Sequence, residues 1–377
     1  MASMVAVDYS LRDSIDEIDA ASWNRCAGPS PHLQHAFFLA LERTGSVGPD
    51  VGIVPKYLVL KTQSDGLVAC APAMLKTGTW REHGPEHGWL NAAAAAGWFA
   101  WPKFQVGIPL HPVAGPKLLV RPGIPVDAMH KIFVDVLQTI AGRWNLSKVV
   151  NVMQVDAATA AALERHGALI THELRNIWHN PGHATFDEYL ATLPARKRRQ
   201  ALVEGRSFRR LGLEVRTLHG HEITSPLIRD FYEGFRRVCT RHGKPVWLPE
   251  AMFHELVAVM PGAVVIEAAF DAGRFVAGSF GLRDNETLLR LPWSAMASTR
   301  DLVFELACHR PKAYAIEHRL ARIDAGVAAP HKTCRGYAEE PAFNAHWFLD
   351  ERMRAFARAV MTRVARIRAT ESDPLTR

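Results

Sequence analysis

The stretch "GVAAPHKTCRGY", Gly326 to Tyr337, sets the question this chain poses. It follows the strand-like run Ala321 to Ala325 and places His331, Lys332, Cys334 and Arg335 within five positions. Gly326, Pro330 and Gly336 shape the backbone around those side chains. A strand running into such a segment reads as the active-site loop of a mixed α/β protein.

Working outward, strand and helix patterns alternate. Upstream lie the strand Leu288 to Trp293 and the long helix Asp301 to His318; downstream lies the closing helix Asp350 to Arg368. Val264 to Phe270 and Phe275 to Leu282 are strands around the turn Asp271-Ala272-Gly273, preceded by a strand from Leu213 and helices Ser225 to His242 and Pro249 to Met260. The first half uses the same grammar. Pro31 to Gly45 reads as a helix, and Lys56 to Lys61 and Leu67 to Leu75 pair across Ser64-Asp65-Gly66. Met129, Ile132, Phe133, Val136, Leu137 and Ile140 give Val126 to Trp144 a helical period. Strand Lys148 to Val155, helix Ala157 to His166 and strand Ala168 to Trp178 follow. Both halves read as antiparallel hairpins followed by a helix and strand crossover, which suggests a duplicated unit without an exact repeat. The expected fold is mixed α/β (α+β), with domains at 1–185 and 186–377 joined near Gly182 to Pro194.

Length and composition agree. A chain of 377 residues suits two domains, and 48% hydrophobic with 22% charged residues is a globular composition. No apolar run is long enough to span a bilayer, and the N-terminus lacks a basic-then-apolar signal pattern. A cytoplasmic protein without membrane insertion is expected. The five cysteines are scattered with no CxxC pair, so neither a disulfide framework nor a cysteine-rich zinc site is expected. Cys239 with His242, and His331 with Cys334, have ligand-like spacing, but neither set supplies four ligands, and no metal is expected.

The net charge of +7 is unevenly spread. Residues 1–185 hold 15 Lys+Arg and 15 Asp+Glu, so the whole excess falls in 186–377. Much of it lies in "RKRRQALVEGRSFRR", Arg196 to Arg210. On a helix, Arg196, Arg199, Arg206 and Arg210 fall in a stripe of roughly 80°. With Lys197 beside them, they form a surface suited to a phosphate backbone, or else a solvated linker helix.

Three segments carry a family resemblance: "LPARKRRQALVEGRSFRRLGLEVR", "FVAGSFGLRD" and "IDAGVAAPHKTCRGYAEEPAFNAHWF". Together they resemble the FemAB-like "peptidogalycan biosynthesis/recognition" family of the GNAT acyltransferase superfamily, over roughly Leu33 to Val364. The match is most specific at the HK-x-x-RG-[YF] run and at His346-Trp347. The resemblance implies two tandem GNAT-like domains, the first on the acceptor side, and transfer of an acyl group to an amine. In the Fem ligases that group is an amino acid delivered by aminoacyl-tRNA. The implied function is therefore amide bond formation, with tRNA as partner and a cell-wall precursor or specialised metabolite as acceptor. An acyl-CoA or carrier-bound donor is the first alternative. A non-catalytic RNA- or glycan-binding protein is the second.

The sequence departs from the family at "LPWSAMASTRDLVFELACHRP", where relatives carry a Trp-Gly-Cys-like segment. Pro311 interrupts the helix pattern there, and Trp293 and Ser294 become candidate substrate contacts. A conventional acetyl-CoA enzyme has R/Q-x-x-G-x-G/A at this point, whose bare N–H groups hold pyrophosphate. "SAMASTRD" has no glycine, although Ser298 and Thr299 are suited to cap a helix. This weighs against acetyl-CoA, so no bound cofactor is expected, with aminoacyl-tRNA as co-substrate.

Aminolysis of an ester needs a neutral amine, a stabilised oxyanion and a proton for the leaving oxygen. Lys332 suits the oxyanion or a donor phosphate, and Arg335 offers a planar fork for phosphate or carboxylate. His331 is a candidate base or shuttle, or a loop-fixing donor. Asp324 is placed to orient Lys332 or Arg335, or to pair with a neighbour. Cys334 is not expected as a nucleophile, since direct aminolysis needs no acyl-enzyme. Arg241 and His242 are candidate substrate contacts or helix-ending charges. Trp80, Trp89, Trp98 and Trp101, with His83, His87 and Lys103, suggest an acceptor pocket or a packed core. His346 is a secondary site candidate.

Overall fold

The computed structural model describes residues 7–78, 86–98, 101–143, 149–297 and 300–371. Its elements begin with β1 (Val7–Arg12), α1 (Ala20–Ala27), α2 (His35–Arg43), β2 (Ile53–Pro55) and β3 (Tyr57–Thr62). Next come β4 (Gly66–Ala71), β5 (Ala73–Lys76), α3 (Glu86–Ala95), β6 (Lys103–Val106) and β7 (Leu119–Val120). They continue with α4 (Val126–Arg143), β8 (Val149–Val155), α5 (Ala157–Arg165), β9 (Leu169–His179), α6 (Phe186–Thr192) and α7 (Ala195–Arg209). After these follow β10 (Glu214–His219), α8 (Ser225–Arg241), α9 (Glu250–Val259), β11 (Val264–Asp271), β12 (Arg274–Arg283) and β13 (Thr287–Ala295). The last are α10 (Arg300–Phe304), α11 (Arg310–Glu317), β14 (Arg322–Val327), α12 (Pro330–Thr333), β15 (Ala338–Phe348) and α13 (Glu351–Glu371).

The chain forms two compact units. Unit 1 holds Met1–Ala27, Val47–Glu173 and Pro341–Arg377; unit 2 holds Gly28–Ser46 and Leu174–Glu340. These bounds differ from a single cut at 185/186. Both long boundaries fall inside strands, β9 and β15, so unit 1 takes its closing strand from the end of the chain and unit 2 takes one from the middle. Local sequence carries no trace of such an exchange, because strand partners are chosen by tertiary pairing.

In unit 1, β1, β3, β4 and β7 form an antiparallel sheet, and β2, β5, β6, β8 and β15 lie side by side in that order. All of these neighbours are antiparallel except β6 and β8. A parallel pair needs a long crossover, and α4 provides it. The apolar stripe of α4, Met129, Phe133, Val136, Leu137 and Ile140, packs with Leu58, Phe104, Val150 and Val152. Asp156 caps α5 by accepting from the Thr159 N–H.

In unit 2 the order is β10, β11, β12, β13, β14, β9, again with one parallel pair, β13 with β14. The connection holds α10 and α11, joined by a π-helical turn, Glu305–His309. Pro311 supplies a reason for the turn. It has no N–H to give the carbonyl four residues back, and its ring crowds that carbonyl. Trp178, Tyr189, Cys308, Tyr314, Ile323 and Tyr337 pack into the core of this unit. Among the described residues no helix is long and apolar enough to cross a membrane.

Candidate functional site

The site grows from the parallel pair of unit 2. β13 and β14 pair only over Thr287–Leu289 and Arg322–Asp324. β13 then continues along β12 and β14 along β9, so the two strands part after Leu289 and Asp324. Strands that part leave ladder groups without partners, which side chains or ligands must take up.

Side chains take up some of them. Lys332 Nζ donates to the carbonyls of Ala325 (2.6 Å) and Val327 (3.0 Å), both beyond the last β13–β14 pair. An ammonium has three N–H groups, so one is left over. Burial, followed by the nearby Arg290 charge, lowers the Lys332 pKa to about 8. Arg290 is the first β13 residue past the pairing, and its guanidinium donates to the Ala307 carbonyl. This is the carbonyl that Pro311 leaves without a helical donor. The other N–H groups of Arg290 have no partner among the described residues, and no carboxylate pairs with it there.

Behind these two cations lies a buried polar layer. Lys312 is fully buried, donates to the Cys308 carbonyl (2.9 Å) and stands 3.8 Å from the ring centre of Tyr337. Burial lowers its pKa to about 7. Burial likewise pushes Glu267 up to about 7, against the pull of Arg290 and Arg310. Glu267 Oε1 and the Tyr337 hydroxyl are buried without hydrogen-bond partners. Three basic side chains with no carboxylate hydrogen-bonded to them among the described residues converge here: Arg290, Lys312 and Lys332. Buried unpaired charge is costly, and such arrangements cluster where an anion or developing negative charge is bound.

The other residues of the opening stretch have different duties. Arg335 is buried, and its fork is occupied by Glu204: Nε to Oε2 at 3.0 Å and Nη2 to Oε1 at 2.5 Å. Nη1 donates to the His331 carbonyl (2.6 Å), and the guanidinium lies 3.2 Å from the centre of the Phe304 ring. Arg335 therefore has its carboxylate inside the protein, which corrects the expectation of a fork held open for a donor. His309 also donates to Glu204 (2.8 Å). Burial alone would raise the Glu204 carboxyl, but hydrogen bonds from His309, Arg335 and Gln200 hold it at about 2.

Asp324 is likewise committed. It forms a two-point pair with Arg175 (2.6 and 3.2 Å) and accepts from the Gly326 N–H (2.9 Å), with no hydrogen bond to Lys332 or Arg335. Gly336 has φ 89° and packs against the Tyr189 hydroxyl, where a Cβ would clash. His331, on the short helix α12, and Cys334, just after it, are exposed. Burial, then the charges of Lys332 and Arg335, lower the His331 pKa.

The remaining predicted residues scatter. Ser294 is buried and donates to the Phe231 carbonyl (2.6 Å), fixing α8 to β13, and Gly234 packs too closely on it for any side chain. Trp293 packs beside Ala295, Leu302 and Phe208. Arg241 and His242 are exposed at the end of α8, with Arg241 donating to the Ala295 carbonyl (3.3 Å). Trp98 and Trp101 belong to unit 1 and pack with Leu90, Phe348 and Met353. Trp80, His83, Ser298 and Thr299 lie outside the described residues. His346 is buried between Asn151 (2.8 Å) and Thr171 (2.9 Å), and burial lowers its pKa to about 3, so it is a neutral structural group.

On α7, Arg196, Arg199, Arg206 and Arg210 are exposed, while Lys197 turns toward the Thr333 carbonyl (3.4 Å). A surface hollow of about 620 Å³ lies against Arg196, Arg199, Gln200, Val203, Glu204 and Phe304. Its base shares Glu204 and Phe304 with the Arg335 stack. Among the described residues no group of His, Cys, Asp and Glu is placed to hold a metal ion. Sequence reasoning missed Arg290, Lys312, Arg175 and Glu204. The one available signal was Arg290 standing inside the apolar run "LLRLPW" ahead of a helix broken by Pro311.

The sequence matches, over residues 14–376, the model of the FemAB-like family described as "Peptidogalycan biosysnthesis/recognition". The chain belongs to the FemAB-like family. A search of curated protein sequences finds no match. Among solved structures, this FemAB-like protein is similar to the C-terminal domain of a protein assigned as a lysylphosphatidylglycerol synthetase from Agrobacterium fabrum. The TM-score is 0.56 at 11% identity, covering 92% of this chain and 95% of that one. FemX is similar with a TM-score of 0.55 at 10% identity over 92% and 98%. L-PGS from Bacillus licheniformis gives 0.52 at 12% over 85% and 95%. At such identities the likeness is one of fold.

Proposed function

We propose that this FemAB-like protein is an aminoacyltransferase that moves an amino acid from an aminoacyl-tRNA ester to an acceptor amine. The carrying observation is the pair Arg290 and Lys332 at the parting of β13 and β14, each with N–H groups left over and neither paired with a carboxylate. The neutral amine attacks the ester carbonyl carbon and forms the C–N bond. Lys332 and Arg290 stabilise the oxyanion that develops. The C–O bond to the tRNA hydroxyl then breaks, and the proton lost by nitrogen ends on the departing oxygen. With a pKa of about 8, Lys332 is mostly ammonium at neutral pH and serves as donor rather than base.

Two observations favour a tRNA donor over a coenzyme thioester. Arg196 and Arg199 of α7 border a hollow suited to a phosphodiester strand, and Arg206 and Arg210 are exposed further along the same stripe. The segment after β13 lacks the glycines of a pyrophosphate loop. An acceptor amine on a cell-wall precursor is suggested by the family's description, with a specialised metabolite as the other acceptor class. The test is a donor screen with charged tRNAs and acyl-CoAs against pooled amines, read by mass spectrometry. Amide products from aminoacyl-tRNA alone support the reading. Products from acyl-CoA alone overturn the donor, and binding without product from either overturns catalysis.

A further inference from the structure

The positive charge of residues 186–377 is not all on α7. The closing helix α13, which belongs to unit 1, carries six arginines and no lysine against Glu351 and Glu371, a balance of +4 where the whole chain has +7. A guanidinium fork matches phosphate oxygens two at a time, which an ammonium does not.

One face of α13 is spent on packing. Met353 and Ala357 are buried with Leu90, Val149 and Phe348, and Phe356, Val360 and Met361 pack against them. The opposite face holds the charge, with Arg352, Arg358, Arg363 and Arg366 exposed. At 100° per residue, Arg358 and Arg363 stand roughly 140° apart around the helix, with Ala355, Ala359 and Thr362 between them. Thr362 turns its hydroxyl to the Arg358 carbonyl (2.8 Å), so this floor is small and uncharged. A surface hollow of about 710 Å³ lies along it, bordered by Arg358, Arg363 and Arg366.

A helix that only faces water gains from alternating charge, since opposite signs three or four residues apart attract and like signs repel. α13 does the reverse: Arg354 and Arg358 are four apart, and Arg363 and Arg366 three apart. Arg352 stands in the first turn, where the helix dipole disfavours a cation. Among the described residues Arg354 pairs with Glu351 (3.6 Å), and no carboxylate pairs with Arg358 or Arg363. A bound polyanion relieves this repulsion. With its apolar face buried, α13 exposes no large apolar side chain among the described residues for insertion into a bilayer. A phosphodiester strand fits this face better than a membrane.

We propose that this face of α13 binds the phosphate backbone of an RNA, as a second such surface besides α7. Arg358, Arg363 and Arg366 each take a phosphate, and the small floor lets the strand approach the helix. The choice of RNA among polyanions rests on the tRNA donor reading above.

Fluorescence anisotropy of labelled, uncharged tRNA with the full chain, across a salt series, tests it. Arg358, Arg363 and Arg366 are changed together to Ala in one variant and to Lys in another. The Ala variant keeps the wild-type melting temperature and lowers the salt slope by about 2–3, at roughly 0.7–0.9 for each phosphate contact. The Lys variant keeps most of the slope, because charge carries it. Wild type that binds tRNA while the folded Ala variant keeps the full slope overturns this proposal and leaves the donor reading standing. Wild type that binds no tRNA at low salt overturns both. Binding through α13 together with transfer from acyl-CoA alone supports this proposal and overturns the donor reading. An Ala variant that loses binding to phosphatidylglycerol vesicles with its tRNA slope unchanged assigns the face to lipid and overturns the proposal.

Discussion

Replacing Arg335 by Ala separates a structural arginine from a substrate-binding one. Arg335 has 4% of its side chain exposed and Glu204 has 11%, and they share two hydrogen bonds. Removing one partner of a buried pair costs about 3–5 kcal/mol, because the other charge is left behind. The Glu204 pKa gives a similar figure. Held at about 2 from an ordinary 4.5, the carboxyl contributes about 3 kcal/mol at neutral pH. This stabilisation is complete above pH 4.5 and is lost as pH falls toward 2, since the folded value lies below the unfolded one. At about 2–4 °C per kcal/mol for a unit of this size, Arg335→Ala lowers the melting temperature by roughly 6–20 °C. Glu204→Leu with Arg335→Met together should recover most of that loss. Urea and thermal unfolding at pH 7 and pH 3 measure both effects, with the single-mutant deficit shrinking at pH 3. An Arg335→Ala protein as stable as wild type refutes the reasoning and returns the arginine fork to the donor.

Four further outcomes follow from the same geometry. Lys312 titrates near 7 when folded and near 10.5 when unfolded, so its contribution to stability rises with pH across that window; Lys312→Met flattens the rise and stabilises the protein at pH 6 by about 1–4 kcal/mol. Glu267 is shifted the other way, to about 7, so stability falls between pH 4.5 and 7; Glu267→Gln removes the fall and gains up to about 3 kcal/mol above pH 7, measured by urea titration. Changing Arg196, Arg199, Arg206 and Arg210 together to Ala lowers the salt slope of tRNA binding by about three and leaves the melting temperature in place, since all four are exposed. Cys334→Ser transfers within about twofold of wild type in single-turnover assays, whereas a folded but inactive variant would indicate a covalent acyl-enzyme.

Much of the fold was legible because its signals are local. The turn Asp271-Ala272-Gly273 and the apolar alternation around it placed β11 and β12 within a residue of their observed ends, and the 3.6-residue period did the same for α4. β15 was not read as a strand. Pro341 interrupts it, and its pairing with β8 joins residues separated by about half the chain. The site divides in the same way. Lys332 stood out because it lies beside glycine and proline in a short charged run. Arg335 was misread because the carboxylate that claims it, Glu204, lies 131 residues away. Arg290 acquires its role only when β13 leaves β14, a tertiary event that no local pattern encodes, and so reaches the Ala307 carbonyl that Pro311 frees.

The role proposed for Arg290 and Lys332 is to stabilise the negative charge that develops during acyl transfer. Single-turnover transfer from aminoacyl-tRNA by Arg290→Ala and Lys332→Ala, with folding verified by melts, tests it most directly. A loss of about 10²–10³-fold in the chemical step is expected for each variant, with tRNA affinity retained through α7. Wild-type rates in both folded variants would contradict it.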